Sequence, residues 1–175
     1  MTQARNHFEL LGLAASYTVP ADVMDRSYRE IQSKVHPDRF ASASDAERRA
    51  AMQLATQVNE AYQTLKHPLK RAIYLLELAG VDVLSQTNTA MEPAFLRQQL
   101  EWRENIGDAR KARNAGRLES LRAGLEAEKR ERVARLEALF ASGALQPAAE
   151  AARQLLFIEK LEQAIGDGIE SLEAA

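Results

Sequence analysis

At 175 residues the chain has room for one large domain or two small ones, and 46% hydrophobic residues can supply a core while 27% charged residues keep it in water. A net charge of −2, with both signs interspersed, argues against a nucleic-acid binder, which concentrates positive charge on one face. The absence of cysteine excludes disulfides, thiolate metal sites and cysteine nucleophiles.

Alanine, leucine, glutamate and arginine dominate, all good helix formers, and no segment alternates with a period of two. The predicted fold class is all-α. The apolar runs fall far short of the roughly 18 residues of a membrane helix, and Met1 to Phe8 lacks an apolar signal core. A soluble cytoplasmic monomer is expected, with no membrane and no nucleic acid among its partners.

In chain order, Phe8-Glu9-Leu10-Leu11-Gly12-Leu13 reads as one helical turn with Phe8 and Leu11 inward and Gly12 as its stop. The first sizeable helix is predicted over 20–35, with Pro20 in its first turn. Met24, Tyr28, Ile31 and Val35 form its apolar stripe, while Arg26, Arg29 and Ser33 project on the other side and Lys34 lies at its end. Pro37 stops that helix and pushes His36 into an extended conformation, which leaves His36 and Asp38 on an exposed loop.

Ser44-Asp45-Ala46-Glu47 is a capping-box pattern that starts the next helix near residue 45. Ala51, Ala55, Val58, Tyr62 and Leu65 carry its buried stripe to about 66, making an antiparallel hairpin with the first. Pro68 opens another helix with Ile73, Leu76 and Ala79 inward and Gly80 at its close. Residues 81–92, with polar Ser85-Gln86-Thr87-Asn88-Thr89, read as a linker, so the domains are expected at 1–80 and 93–175.

Three helices follow. The first spans 93–106, with Phe95, Trp102 and Ile106 on one side. The second spans 109–141, with Leu118, Leu121, Leu125, Val133, Leu136 and Phe140 inward; Glu128, Lys129 and Arg132 interrupt that stripe, so its middle is expected to protrude. The third spans 147–172, with Leu155, Ile158, Leu161, Ile165, Ile169 and Leu172 inward and its last turns weakened by Gly166 and Gly168. An antiparallel three-helix bundle is predicted. Leu96 and Leu100 lie off the stripe of the first helix and, with Arg97, Glu101, Glu104 and Asp108, form an apolar-acidic ridge the core does not need. Phe157 sits about 90° from the inward stripe of the third helix, at 100° per residue, and is either marginal core or an interface anchor.

Catalysis is not supported by this inventory. His36 and Asp38 have no paired nucleophile, His7, His36 and His67 lack the spacing of a helical metal site, and Gly80, Gly107 and Gly116 are isolated rather than part of a phosphate-binding loop. No enzyme, metal or cofactor is expected.

Tyr28-Arg29-x-Ile31-x-x-Lys34-Val35-His36-Pro37-Asp38-Arg39-Phe40 resembles the J-domain of DnaJ-type co-chaperones. Phe8 to Leu13 ahead of it and Val58-Asn59-Glu60-Ala61-Tyr62-Gln63-Thr64-Leu65 after it match in order and spacing. His67-Pro68-Leu69-Lys70-Arg71-Ala72-x-Tyr74-Leu75-Leu76, Ala94-Phe95-Leu96-x-x-Gln99-Leu100-Glu101-x-Arg103-Glu104 and Arg153-x-Leu155-x-Phe157-Ile158-x-Lys160-Leu161 are similar to the HscB family of iron–sulfur cluster assembly.

That resemblance implies two docking surfaces. Arg26, Arg29, Lys34, His36, Pro37 and Asp38 would bind HscA, a DnaK-class ATPase, and stimulate its hydrolysis of ATP. Leu96, Arg97, Leu100, Glu101, Glu104, Asp108 and Phe157 would bind the scaffold IscU and deliver it. Two departures stand out: Asp22, Asp25 and Glu30 dilute the basic second helix, and Arg97 replaces an apolar family residue. The cysteine-rich N-terminal extension of eukaryotic members is missing, so a bacterial protein is expected. The rival readings are a J-protein serving DnaK with other clients and a helical structural protein without a chaperone partner.

Overall fold

The structure, a computed structural model, describes residues 5–40, 42–83 and 91–174; the predicted linker therefore lies largely outside the described residues. Helices and turns account for the regular structure of the described residues, with no strand among them. The chain divides into two compact units, residues 1–75 and 76–175.

The first unit begins with α1 (His7–Leu10), capped by Asn6, whose side chain accepts from the Glu9 backbone N–H while Glu9 accepts from the Asn6 backbone N–H. Gly12 takes φ +65°, a region that costs other residues energy, and so turns the chain out of the helix. Helix α2 (Ala21–Val35) starts after Pro20, which is its cap rather than part of its first turn. Helix α3 (Asp45–Lys66) has the predicted capping box: Ser44 accepts from the Glu47 N–H, and Glu47 accepts from the Ser44 N–H at 2.9 Å.

Phe8, Leu11, Met24, Val58, Ala61, Tyr62 and Leu65 form the core of this unit, with Tyr28 and Ile31 packed against it. Each fully buried leucine or phenylalanine contributes about 1.5–3 kcal/mol. The predicted stripes of α2 and α3 thus face each other, with Tyr28, Ile31 and Ala55 half-buried.

Helix α4 (Pro68–Leu78) corrects the predicted inward set. Leu69, Ala72 and Leu76 are buried, continuing the 4-3-4 spacing from Leu65, whereas Ile73 is half-buried and Ala79 lies exposed beyond the helix end.

The second unit is an antiparallel bundle of α5 (Pro93–Lys111), α6 (Ala115–Ala141) and α7 (Leu145–Glu173). The turn between α5 and α6 falls later than predicted. Arg113 adopts φ 51°, and the Asn114 side chain accepts from the Arg117 N–H to start α6, so residues 109–111 belong to α5.

Phe95, Ile106, Leu118, Leu125, Leu136, Leu155, Ile158, Leu161, Ile165 and Ile169 are buried as predicted. Trp102, Leu121, Val133, Phe140 and Leu172 are only half-buried. The glycines of α7 do not break it. Gly168 is buried, and a Cβ there would lie 3.1 Å from Arg110 Cγ and 3.2 Å from Leu118 Cδ1, so it permits close approach of the helices.

The middle of α6 does not protrude. Glu128, Lys129 and Arg132 are half-buried and turned toward neighbouring helices. Lys129 Nζ pairs with Glu162 of α7 at 2.7 Å, and Arg132 Nη1 pairs with Glu128 at 3.1 Å. The interrupted stripe is a polar layer inside the bundle.

Candidate partner-binding sites

In the first unit, Val35 ends α2 and His36 takes φ −58°, ψ 132°, extended as the following proline requires. Within the exposed loop predicted, the next four residues form a 3-10 turn, Pro37–Phe40. The Arg39 N–H donates to the His36 carbonyl at 3.0 Å, and Arg39 Nη1 donates to the Ser33 carbonyl at 3.3 Å. The second bond ties the turn back to the last turn of α2, where carbonyls lack helical partners. His36 Nδ1 accepts the Asp38 backbone N–H at 3.3 Å, and the Asp38 carboxylate stands 3.5 Å from that nitrogen. Both side chains are largely exposed, so water screens their mutual interaction and leaves them available to a partner.

The three cations differ in their surroundings. Arg26 pairs with Asp22 one turn back at 3.4 Å, an exposed contact of small energy. Arg29 Nε donates to the Asp25 carbonyl at 3.2 Å. Lys34 is exposed and holds no partner among the described residues.

Asp25 was counted with the acidic residues that dilute this helix, but α3 engages it. Tyr62 donates its hydroxyl proton to Asp25 Oδ1 at 2.7 Å, Lys66 Nζ donates to the Tyr62 oxygen at 2.7 Å, and Lys66 stands 4.0 Å from Asp25. The hydrogen bond to the Tyr62 oxygen, and behind it the Asp25 carboxylate, hold the Lys66 ammonium above its ordinary value. Tyr28 stacks on Tyr62 with ring centroids 4.0 Å apart, and its hydroxyl donates to Asn59 Oδ1 at 2.7 Å. This polar clasp sets the spacing of α2 and α3. Its sequence signal, Tyr62 and Lys66 one turn apart facing Asp25, becomes visible only once the hairpin register is known.

In the second unit the ridge on α5 is exposed. Leu96 and Leu100 keep 46% and 58% of their surface in water, and Arg97, Glu101, Glu104 and Asp108 are exposed with them. At 100° per residue these side chains span roughly 140° of the helix, with Leu96 at one edge and Glu101 at the other.

Phe157 of α7 is half-buried. Its ring meets Phe95 edge-on at 6.4 Å, and the Arg103 guanidinium covers it at 4.5 Å. Arg103 lies about 20° from Leu96 around α5, so Leu96, Leu100 and the covered aromatic share one side.

Arg97 and Glu101 stand at the other side, on the wall of a cleft of about 550 Å³ between α5 and α6. The expected scaffold-binding residues are therefore one continuous ridge with an apolar edge and a charged edge. Arg103 escaped sequence reasoning because its role depends on a ring 54 residues away in the chain.

Among the described residues no group of three or more histidine, aspartate or glutamate side chains is placed to hold a metal ion, and no helix is long and apolar enough to cross a membrane.

An exposed His-Pro-Asp turn on a two-helix hairpin defines a J-type co-chaperone. In agreement, residues 6–74 match the DnaJ domain, and residues 91–166 match the HSCB C-terminal oligomerisation domain. The chain is 56% identical over 168 residues to the co-chaperone protein HscB homolog of Burkholderia thailandensis, covering 96% of each chain. Among solved structures it is similar to chaperone HscB from Vibrio cholerae, with 35% identity and TM-score 0.82 over 96% of this chain and 99% of that one. Human co-chaperone HscB gives 26% identity and TM-score 0.87 over 95% and 83%. The chain belongs to the HscB family of co-chaperones.

Proposed function

We propose that this chain stimulates the ATPase of a DnaK-class chaperone of the HscA type and delivers to it an IscU-type iron–sulfur scaffold, aiding cluster maturation and transfer in the bacterial cytoplasm. The J-domain of residues 1–80 would present Arg26, Arg29, Lys34 and His36-Pro37-Asp38 to the chaperone. The bundle of residues 93–175 would hold the scaffold through Leu96, Arg97, Leu100, Glu101, Glu104, Asp108 and Phe157.

One observation carries this reading. Leu96 and Leu100 are exposed on the side of α5 whose Arg103 covers the Phe157 ring, on a bundle whose core is complete without them, in a chain that also presents an exposed His-Pro-Asp turn. Exposed leucines next to an aromatic are surfaces that gain by desolvation against a partner, each anchor costing about 1–3 kcal/mol when truncated. The charged flank then governs encounter rate and orientation.

Bond-making and bond-breaking remain in the partner's nucleotide site. The chain acts by binding the hydrolysis-competent state of the chaperone more tightly than the resting one, which is the only way a bound protein can shift such an equilibrium. The Arg39 contact to α2 holds the turn in shape before docking, so less ordering entropy is lost on binding.

The test is steady-state ATP hydrolysis by the cognate chaperone. His36→Gln is expected to abolish stimulation while the circular dichroism spectrum is unchanged. Stimulation equal to wild type overturns the docking role of the turn.

A further inference from the structure

The cleft between α5 and α6 is not accounted for by an apolar scaffold patch. Its floor and walls include Phe95, Gln98, Glu101, Arg132, Arg135 and Gln154. Gln154 is 7% exposed, yet its amide makes no hydrogen bond among the described residues. Arg132 is satisfied at both terminal nitrogens, by Glu128 at 3.1 Å and by Gln98 Oε1 at 3.2 Å, while its buried Nε has no acceptor. Gln98 is in turn fixed by its bond to Glu128 at 2.7 Å. The cleft thus holds a rigid, hydrogen-bonded framework and, on its lining, the Gln154 amide, with one donor group and one acceptor reachable from the cleft and not used among the described residues.

The Gln154 amide points to the chemistry of a ligand. A peptide unit offers one carbonyl and one N–H, which a side-chain amide pairs with simultaneously. The lining carries Arg97 and Glu101 from α5 and Glu131 and Arg135 from α6, exposed and none of them ion-paired among the described residues. Mixed signs in one lining disfavour a polyanion and favour a segment carrying both charges. The volume suits a ligand-sized occupant.

The cleft is also continuous with the proposed scaffold surface. Arg97 and Glu101 belong to both, and Phe95 meets Phe157 on one side and the Arg132 guanidinium, 5.1 Å away, on the other. We propose that the α5–α6 cleft binds an extended, mixed-charge peptide segment of the same scaffold partner whose apolar surface engages Leu96, Leu100 and Phe157; this rests on the reading of that patch given above.

The experiment is calorimetric titration of the full-length protein with the purified scaffold. Gln154→Leu, which keeps the side chain's bulk and removes its polarity, is expected to weaken binding about tenfold, the effect of losing a buried hydrogen bond at an interface. Because Gln154 is buried, the exposed double variant Glu131→Ala with Arg135→Ala is measured beside it and is expected to weaken binding at low salt more than at high salt. The patch variant Leu96→Ala with Leu100→Ala serves as reference. Weakening by the cleft variants as well as by the patch variant supports the proposal. Wild-type affinity in both cleft variants, with the patch variant impaired, overturns the cleft site and leaves the patch standing. Wild-type affinity in all of them overturns both. Impaired cleft variants with an unimpaired patch variant overturn the patch reading and leave the cleft as the binding site.

Discussion

Asp25 belongs to α2 by sequence and to α3 by contact. Its carboxylate accepts the Tyr62 hydroxyl, so a charge that dilutes the basic face of α2 also clasps the hairpin. Tyr62→Phe removes that bond and the Lys66 bond together and is expected to lower the unfolding free energy by about 1 kcal/mol, measured by urea denaturation. Equal midpoints would show that the clasp adds nothing to stability. Phe157 is the other instructive residue. Spacing alone left it between core and anchor, and the structure leaves it half-buried, its ring edge-on to Phe95 and covered by the Arg103 guanidinium. Phe157→Ala is expected to cost about 1–3 kcal/mol of scaffold affinity in calorimetry.

At the scale of elements, the ends of α2 and α3 were legible to within a residue because proline and the capping box act locally. The Glu47 carboxyl is held below its ordinary value of 4.5 by hydrogen bonds from the Ser44 side chain and backbone. A carboxylate lowered on folding stabilises above its unfolded value, and that stability disappears as pH falls through the lowered one. Glu47→Gln is therefore expected to destabilise at pH 7, with the difference from wild type vanishing in melts well below pH 4.5. Ser44→Ala is expected to cost about 1 kcal/mol. The middle of α6 was read wrongly for a physical reason. Helical periodicity reports which residues are apolar, and a polar layer paired across helices looks like a gap in the stripe. Likewise Gly168, taken as a weakness, fits a close helix approach that no spacing rule reveals. Gly168→Leu is expected to lower the melting temperature through overpacking of about 1–3 kcal/mol. Gly166→Ala, with nothing within 4 Å of the new Cβ, is expected to raise stability by up to about 1 kcal/mol.

At the scale of the whole molecule, the all-α class was legible in the composition, and the family of both units in short stretches such as the His-Pro-Asp turn and 94–104 that resemble it, because these are local patterns. What was hidden, the Tyr62 clasp and the α5–α6 cleft, depends on residues brought together from separate helices. The two proposed surfaces lie on different units and share no residue. His36→Gln is thus expected to bind scaffold with wild-type affinity while failing to stimulate the chaperone. Leu96→Ala with Leu100→Ala is expected to keep basal stimulation and lose the scaffold-dependent increment. Cross-effects in either assay would show the surfaces to be coupled. The guanidinium over Phe157 carries a last consequence, for the protein while it waits for a partner. Exposed leucines beside a bare aromatic ring invite a second copy to settle there, and a charged roof denies that landing ground. Arg103 would then guard the free protein against self-association, and Arg103→Ala is expected to sediment with a concentration-dependent mass where wild type does not.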